Sequence, residues 1–195
     1  MTSATLAAPA RVRLTDAVQL PRVIFAWHSP GGFLDGDAEC DLLAAVLGGG
    51  HSSRLYQSLV YQQKLAESVE VEQRTMRYGS EFVIVATAQS GHTAAELEQA
   101  IAAELARLDT TPPSERELER ARAFVQTKLL HEIESPVQLA EALNYYEMRL
   151  GDANQLAARY LARYDAIDAP RLASWAGKVL HAPRLTVVIE PEARK

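Results

Sequence analysis

Two neighbouring stretches decide the fold: Ser68-Val69-Glu70-Val71-Glu72-Gln73-Arg74-Thr75 and Phe82-Val83-Ile84-Val85-Ala86-Thr87-Ala88. The first alternates, with Val69 and Val71 on one face and Glu70 and Glu72 on the other, the period of a half-buried strand. The second is an almost unbroken run of strand-forming residues. The connector Arg77-Tyr78-Gly79-Ser80 is far too short for a parallel crossover, so the pair is predicted to be an antiparallel hairpin.

Upstream, Val18 to His28 reads as a strand. Val23, Phe25 and Trp27 fall on one face and the equally apolar Ile24 and Ala26 on the other, which predicts that both sides are covered. A break at Ser29–Gly32 leads to Asp35-Gly36-Asp37, an acidic helix start. Ala38, Leu42, Ala45 and Val46 follow at helical spacing, until Gly48-Gly49-Gly50 stops the helix. A second helix is expected from about Ser53 to Gln63, with Leu55 and Leu59 inward.

Downstream the chain is mostly helical. Thr93…Glu96 and Ser114…Glu117 both fit the capping box, in which a hydroxyl and a carboxylate satisfy orphan backbone donors. The helices they open carry Leu97, Ile101, Leu105 and Leu108, then Leu118, Ala121, Val125 and Leu129, with Pro112-Pro113 between. Ser135-Pro136 opens another helix that ends near Leu150, before Gly151. Asp152-Ala153-Asn154-Gln155 and Asp168-Ala169-Pro170-Arg171 open two more, and Leu185 to Ile189 forms a last strand. Strands and helices do not alternate singly, so the order predicts an α+β fold, a mostly antiparallel sheet covered by helices. Residues 18–191 read as a single domain, 1–17 as an N-terminal extension or linker, and 192–195 as a tail.

Composition narrows the function classes. The 195 residues are 48% hydrophobic and carry 20 Lys and Arg against 25 Asp and Glu, a net charge of -5. Global disorder is excluded, and no basic cluster is present to bind a nucleic-acid backbone. No run approaches 18 apolar residues, so no membrane span is expected. Met1 to Leu14 lacks an uninterrupted apolar stretch and does not read as a secretory signal. The single cysteine, Cys40, excludes an internal disulfide and reads as a small buried hydrophobe.

Candidate chemistry is sparse. No two of His28, His51, His92, His131 and His181 stand at metal-ligand spacing. His131-Glu132-Ile133-Glu134-Ser135 begins an H-x-x-E-H motif, but Ser135 occupies the second histidine position, which leaves a hydrolase built on His131 and Glu134 as a remote alternative. Gly48-Gly49-Gly50-His51-Ser52-Ser53 could present free backbone amides to an anion, yet no Gly-Lys-Ser/Thr follows and no strand precedes it, so it is not a P-loop. Ser52 and Ser53 lack a neighbouring partner that would mark an activated nucleophile.

Leu47-Gly48-Gly49-Gly50-His51-Ser52-Ser53-Arg54-Leu55-Tyr56, followed by Leu59-Val60-Tyr61-Gln62-Gln63-Lys64-Leu65-Ala66-Glu67-Ser68-Val69, resembles a block of a known family. The family is the pitrilysin/insulinase zinc metallopeptidases, the inverzincins, and the matching part is their C-terminal, non-catalytic half. The resemblance implies one repeat unit of an α+β fold, two of which close around a peptide. The catalytic half carries H-x-x-E-H on its first helix; here the histidine positions fall on Asp41 and Ala45 and the glutamate position on Ala44. It therefore implies no catalytic residue and no metal ligand in this chain, which is expected to be inactive alone, with zinc held by a separate catalytic half. An arginine and a tyrosine that assist catalysis in many C-terminal halves align with Val60 and Glu67, so that pair is missing too. The implied substrate-binding positions are Gly48, Gly49, Gly50 and Arg54: the glycines would admit close backbone approach, and Arg54 would be a forked donor. The implied partners are the catalytic half and a peptide substrate. The alternative is a scaffold or binding subunit that kept the fold without proteolysis, as in some respiratory-complex core subunits of the family.

Overall fold

The computed structural model describes residues 6–155 and 162–192. Among these residues five strands, β1 (Ala10–Asp16), β2 (Arg22–Ser29), β3 (Ala66–Arg74), β4 (Ser80–Ala88) and β5 (Arg184–Pro191), form one sheet in the order β1-β5-β2-β4-β3. The hairpin β3–β4 is antiparallel, as are β2–β4 and β2–β5, whereas β1 and β5 run parallel. The architecture is α+β, with a mostly antiparallel sheet.

Among the described residues, five α-helices pack with it: α1 (Asp37–Gly48), α2 (Ala94–Thr110), α3 (Glu115–Ile133), α4 (Pro136–Leu150) and α5 (Ala169–Leu180). Both capping boxes form, Thr93 with Glu96 and Ser114 with Glu117. Asp168 caps α5 through the Arg171 amide, and Gly151 closes α4 in the left-handed conformation. Val23, Phe25 and Trp27 meet Leu42, Leu97, Ile101 and Leu172 in one core. Helix α1 is its centre, with ten of twelve residues buried. Burying its leucines at roughly 1.5–3 kcal/mol each makes this helix the main anchor of the layer.

Several expectations are corrected. Residues 10–16, read as part of an extension or linker, form edge strand β1; Val12 and Leu14 alternate with Arg11 and Arg13, and Arg11 pairs with Glu98 of α2 at 2.7 Å. The expected second helix is a π-helix over Tyr56–Gln62, closed by the Gln63 amide on the Ser58 carbonyl at 2.9 Å. Its wider turn still buries Leu55 and Leu59 completely. The second face of β2 is not covered by the core: Ile24 and Ala26 are half-buried, and Val12 and Leu14 on the same face are exposed. At the start of the helix expected after Asp152, the Asn154 amide donates to the Asp152 carboxylate at 3.0 Å. The rest of that helix lies outside the described residues.

Candidate functional site

The loop after β2 and the first turn of α1 are tied together by Asp37. Its buried carboxylate accepts from the Phe33 amide at 2.9 Å, the Thr75 hydroxyl at 3.2 Å and the Arg163 guanidinium at 2.6 Å. One turn on, Asp41 accepts from the Tyr164 hydroxyl at 2.7 Å and from Arg163 at 3.0 Å. Burial pushes the Asp41 carboxyl up to about 6, although Arg163 opposes the shift. Two carboxylates one helical turn apart thus share a single guanidinium, which also lies over the Phe33 and Tyr164 rings. Nothing local in the sequence announces this network, because Arg163 and Tyr164 stand more than 120 positions from the carboxylates they hold.

Asp41, Ala44, Ala45, Gly48 and Gly49 line one wall of a groove of ≈ 450 Å³. Phe124 and Lys128 of α3 form the opposite wall. The third side is Glu70, Val71, Glu72 and Gln73, four consecutive residues of β3. Side chains of a strand alternate between faces, so four in a row border one groove only along the strand's edge. β3 is one of the two edge strands of the sheet, and its free edge carries backbone N–H and C=O groups outside the β3–β4 ladder. Lys128, within the apolar spacing of α3, is a groove residue that the sequence reading missed; a charged side chain set between the apolar positions Val125 and Leu129 was the available signal.

The four substrate-binding candidates separate. Gly48 is where α1 crosses β3: a Cβ there would stand 2.6 Å from the Val71 side chain and 2.9 Å from the Val71 nitrogen. Its missing side chain lets the fold close on itself. At Gly49 a Cβ would meet the Ala45 carbonyl at 2.4 Å, and the Gly49 amide donates to that carbonyl at 2.8 Å. Gly50 takes φ 76 and makes the turn, with open space around it. Arg54 lies away from the groove. Its fork donates to Glu117 at 2.6 and 2.9 Å and to the carbonyls of Thr111 at 2.7 Å and Pro112 at 3.1 Å. These bonds hold Glu117 well below the usual carboxylate range, at about 2, and bind the π-helix segment to the start of α3.

The aligned metal-site positions do not fit a zinc ion. Ala44 and Ala45 present methyl groups, and Asp41 is engaged by Arg163 and Tyr164. His131 and Glu134 stand 3.5 Å apart on the exposed end of α3, and among the described residues no three potential ligands converge. Cys40 is buried, and burial with nearby carboxylates keeps its thiol protonated. Val60 packs against the core, and Glu67 is exposed at the start of β3. Among the described residues no helix is long and apolar enough to cross a membrane.

Comparison with known proteins agrees with this geometry. Residues 2–125 match the family model of the peptidase M16 inactive domain. The fold matches the inactive peptidase domain of a Bordetella parapertussis protein described as a zinc protease, with TM-score 0.79 and 26% identity over 93% of this chain and 96% of that one. A protease from Helicobacter pylori has the same fold, with TM-score 0.81 and 22% identity, covering 93% of this chain and 44% of that one. So does a chain of complex III2 from Candida albicans, with TM-score 0.80 and 19% identity, covering 93% of this chain and 45% of that one. The chain therefore spans less than half the length of these last two. No curated protein sequence matches it. A helix with aspartate and alanines in the metal positions, set beside an open sheet edge in a fold shared with a domain named for its inactivity, leads to one assignment: the chain belongs to the peptidase M16 family, as an inactive C-terminal peptidase-like domain.

Proposed function

We propose that this domain forms one wall of a peptide-enclosing chamber and packs against a separate H-x-x-E-H-bearing half that performs the cleavage. The observation that carries the reading is the groove itself, in which a sheet edge takes the place of ligands and bases. An extended peptide laid along β3 would pair its main chain with the outward N–H and C=O groups, a mode of recognition indifferent to sequence. Gly48 and Gly49 border that path, and Phe124, 43% exposed, offers an apolar contact to a passing side chain. Arg54 serves the site indirectly, by fixing the segment that follows the glycine turn.

The test mixes the chain with an H-x-x-E-H-bearing M16 half from the same genome and follows hydrolysis of a fluorogenic casein-derived peptide. The mixture should exceed the catalytic half's own activity, and Phe124→Ala should raise KM severalfold with little change in kcat. A second reading, a scaffold without a proteolytic role, is favoured by the fold shared with the complex III2 chain. It predicts association of the two halves with no gain in activity.

A further inference from the structure

A second cavity adjoins the groove: Ala45, Gly49 and Phe124 line both. It encloses ≈ 330 Å³, within the range of about 300–1,000 Å³ usual for ligand sites. Two of its polar side chains are satisfied within the fold. The Glu117 carboxylate accepts from Arg54 at 2.6 and 2.9 Å and from the Ser114 amide and hydroxyl at 2.9 and 2.8 Å. The Thr127 hydroxyl donates to the Ala123 carbonyl at 2.8 Å. Ser53 differs. It lines the same cavity and is 2% exposed, yet its hydroxyl has no hydrogen-bond partner among the described residues. A buried hydroxyl without a partner costs the fold free energy that a ligand acceptor would return. Arg120 lines the cavity too; it is exposed and has no hydrogen bond or ion pair among the described residues. Ser52 beside it is also exposed. The cavity thus offers donors, one of them a full positive charge, while its one carboxylate is already neutralised by Arg54. That set matches a carboxylate ligand.

The direction of a peptide on β3 decides which carboxylate arrives there. Helix α1 and strand β3 run in opposite directions: Thr75, just past the end of β3, donates to Asp37 at the start of α1, and Val71 meets Gly48 at its end. Antiparallel pairing is the more stable arrangement, so a peptide laid along β3 enters beside Gln73 and leaves beside Glu70. Its C-terminal end then lies nearest Gly49 and the second cavity. We infer that the cavity between Ser53 and Arg120 binds the C-terminal carboxylate of a peptide, with Arg120 as the charged donor and the Ser53 hydroxyl as the buried one. The inference rests on the chamber reading and adds a substrate class to it. The groove takes peptides that end within it on a free carboxyl terminus, in preference to internal segments of a longer chain.

The experiment mixes the chain with the H-x-x-E-H-bearing M16 half and compares two fluorogenic peptides that differ only in a C-terminal acid or amide. The acid should show a KM at least about fivefold below that of the amide. Ser53→Ala and Arg120→Gln should each bring that ratio toward one. Neither side chain has a partner to lose, so urea unfolding should find both variants at least as stable as the wild type. A less stable Ser53→Ala chain would assign the hydroxyl to the fold and overturn the inference. Lys128→Gln, in the groove but outside the second cavity, should preserve the ratio; if it abolishes the ratio instead, the carboxylate lies elsewhere and the inference fails. An amidated peptide ending in glutamate should behave like the other amide, and a KM equal to that of the acid would overturn the terminal assignment. Equal KM values for acid and amide, in a mixture more active than the catalytic half by itself, overturn the inference and leave the chamber reading standing. If the chain adds no activity with either peptide, the chamber reading fails, and the inference with it.

Discussion

At the scale of single residues, Asp41 shows how a metal-site position can be rebuilt as a structural one. Burial raises its carboxyl to about 6, so the ionised form is worse placed in the fold than in an unfolded chain. Between about pH 4 and pH 6 the folded chain holds a proton that the unfolded chain has released, and stability falls as pH rises through that window. Asp41→Asn removes the charge and keeps an acceptor for the Tyr164 hydroxyl, while Asp37 still pairs with Arg163. Urea unfolding should find variant and wild type alike at pH 4 and the variant more stable by ~1–3 kcal/mol at pH 8; a less stable variant at pH 8 would contradict the assignment. Glu117 has the opposite sign. Hydrogen bonds from Arg54 depress it to about 2, so its contribution is present above the usual carboxylate range and is lost as pH falls toward 2. Arg54→Ala should cost ~2 kcal/mol at pH 7 and much less at pH 2, read from the same titrations. The sequence showed Asp41, Ala44 and Ala45 in their places because a family pattern marks them. It hid Arg163 and Tyr164, whose partners lie on a helix more than 120 residues away.

At the scale of elements, what was legible was what is local. The β3–β4 hairpin, the two capping boxes and the leucine spacing of α2 and α3 each depend on residues within a few positions, and all are present. Strand β1 carries the period-two signal of Ala10-Arg11-Val12-Arg13-Leu14, but its partner β5 enters some 175 residues later, so no neighbouring turn announces the pairing. The π-helix escaped because apolar spacing alone does not separate a five-residue turn from a four-residue one. Contact between α1 and β3 supplies a prediction at this scale. Gly48→Ala would gain about 1 kcal/mol in helix propensity. It would also force a methyl to 2.6 Å from the Val71 side chain and against the β3 backbone. Overpacking of this kind costs about 1–3 kcal/mol, so the net effect is destabilising. Gly48→Ala combined with Val71→Ala should recover part of the loss in thermal unfolding; no recovery would mean that the backbone contact, and not the valine, sets the limit.

For the whole molecule, the sheet holds strands of unequal protection, with β2 in its interior and β3 at an edge. Hydrogen exchange can read that difference without any assay of cleavage. β2 is paired on both edges, by β4 and β5, so its amides should be the slowest in every state. β3 is paired on one edge, so alternate amides between Val69 and Gln73 point outward and should exchange fast in the free chain. Adding the second half alone should leave the outward amides of β3 fast, because the chamber reading keeps that edge for peptide. Adding an extended, uncleavable peptide to that assembly should then slow the β3 set by at least tenfold. The peptide step matters, because a scaffold would bind the second half without any protection of β3. If the outward β3 amides are already slow in the free chain, its own residues cover the edge and the peptide path must lie elsewhere. If peptide protects β3 before any second half is present, the wall binds by itself and the chamber is closed by substrate.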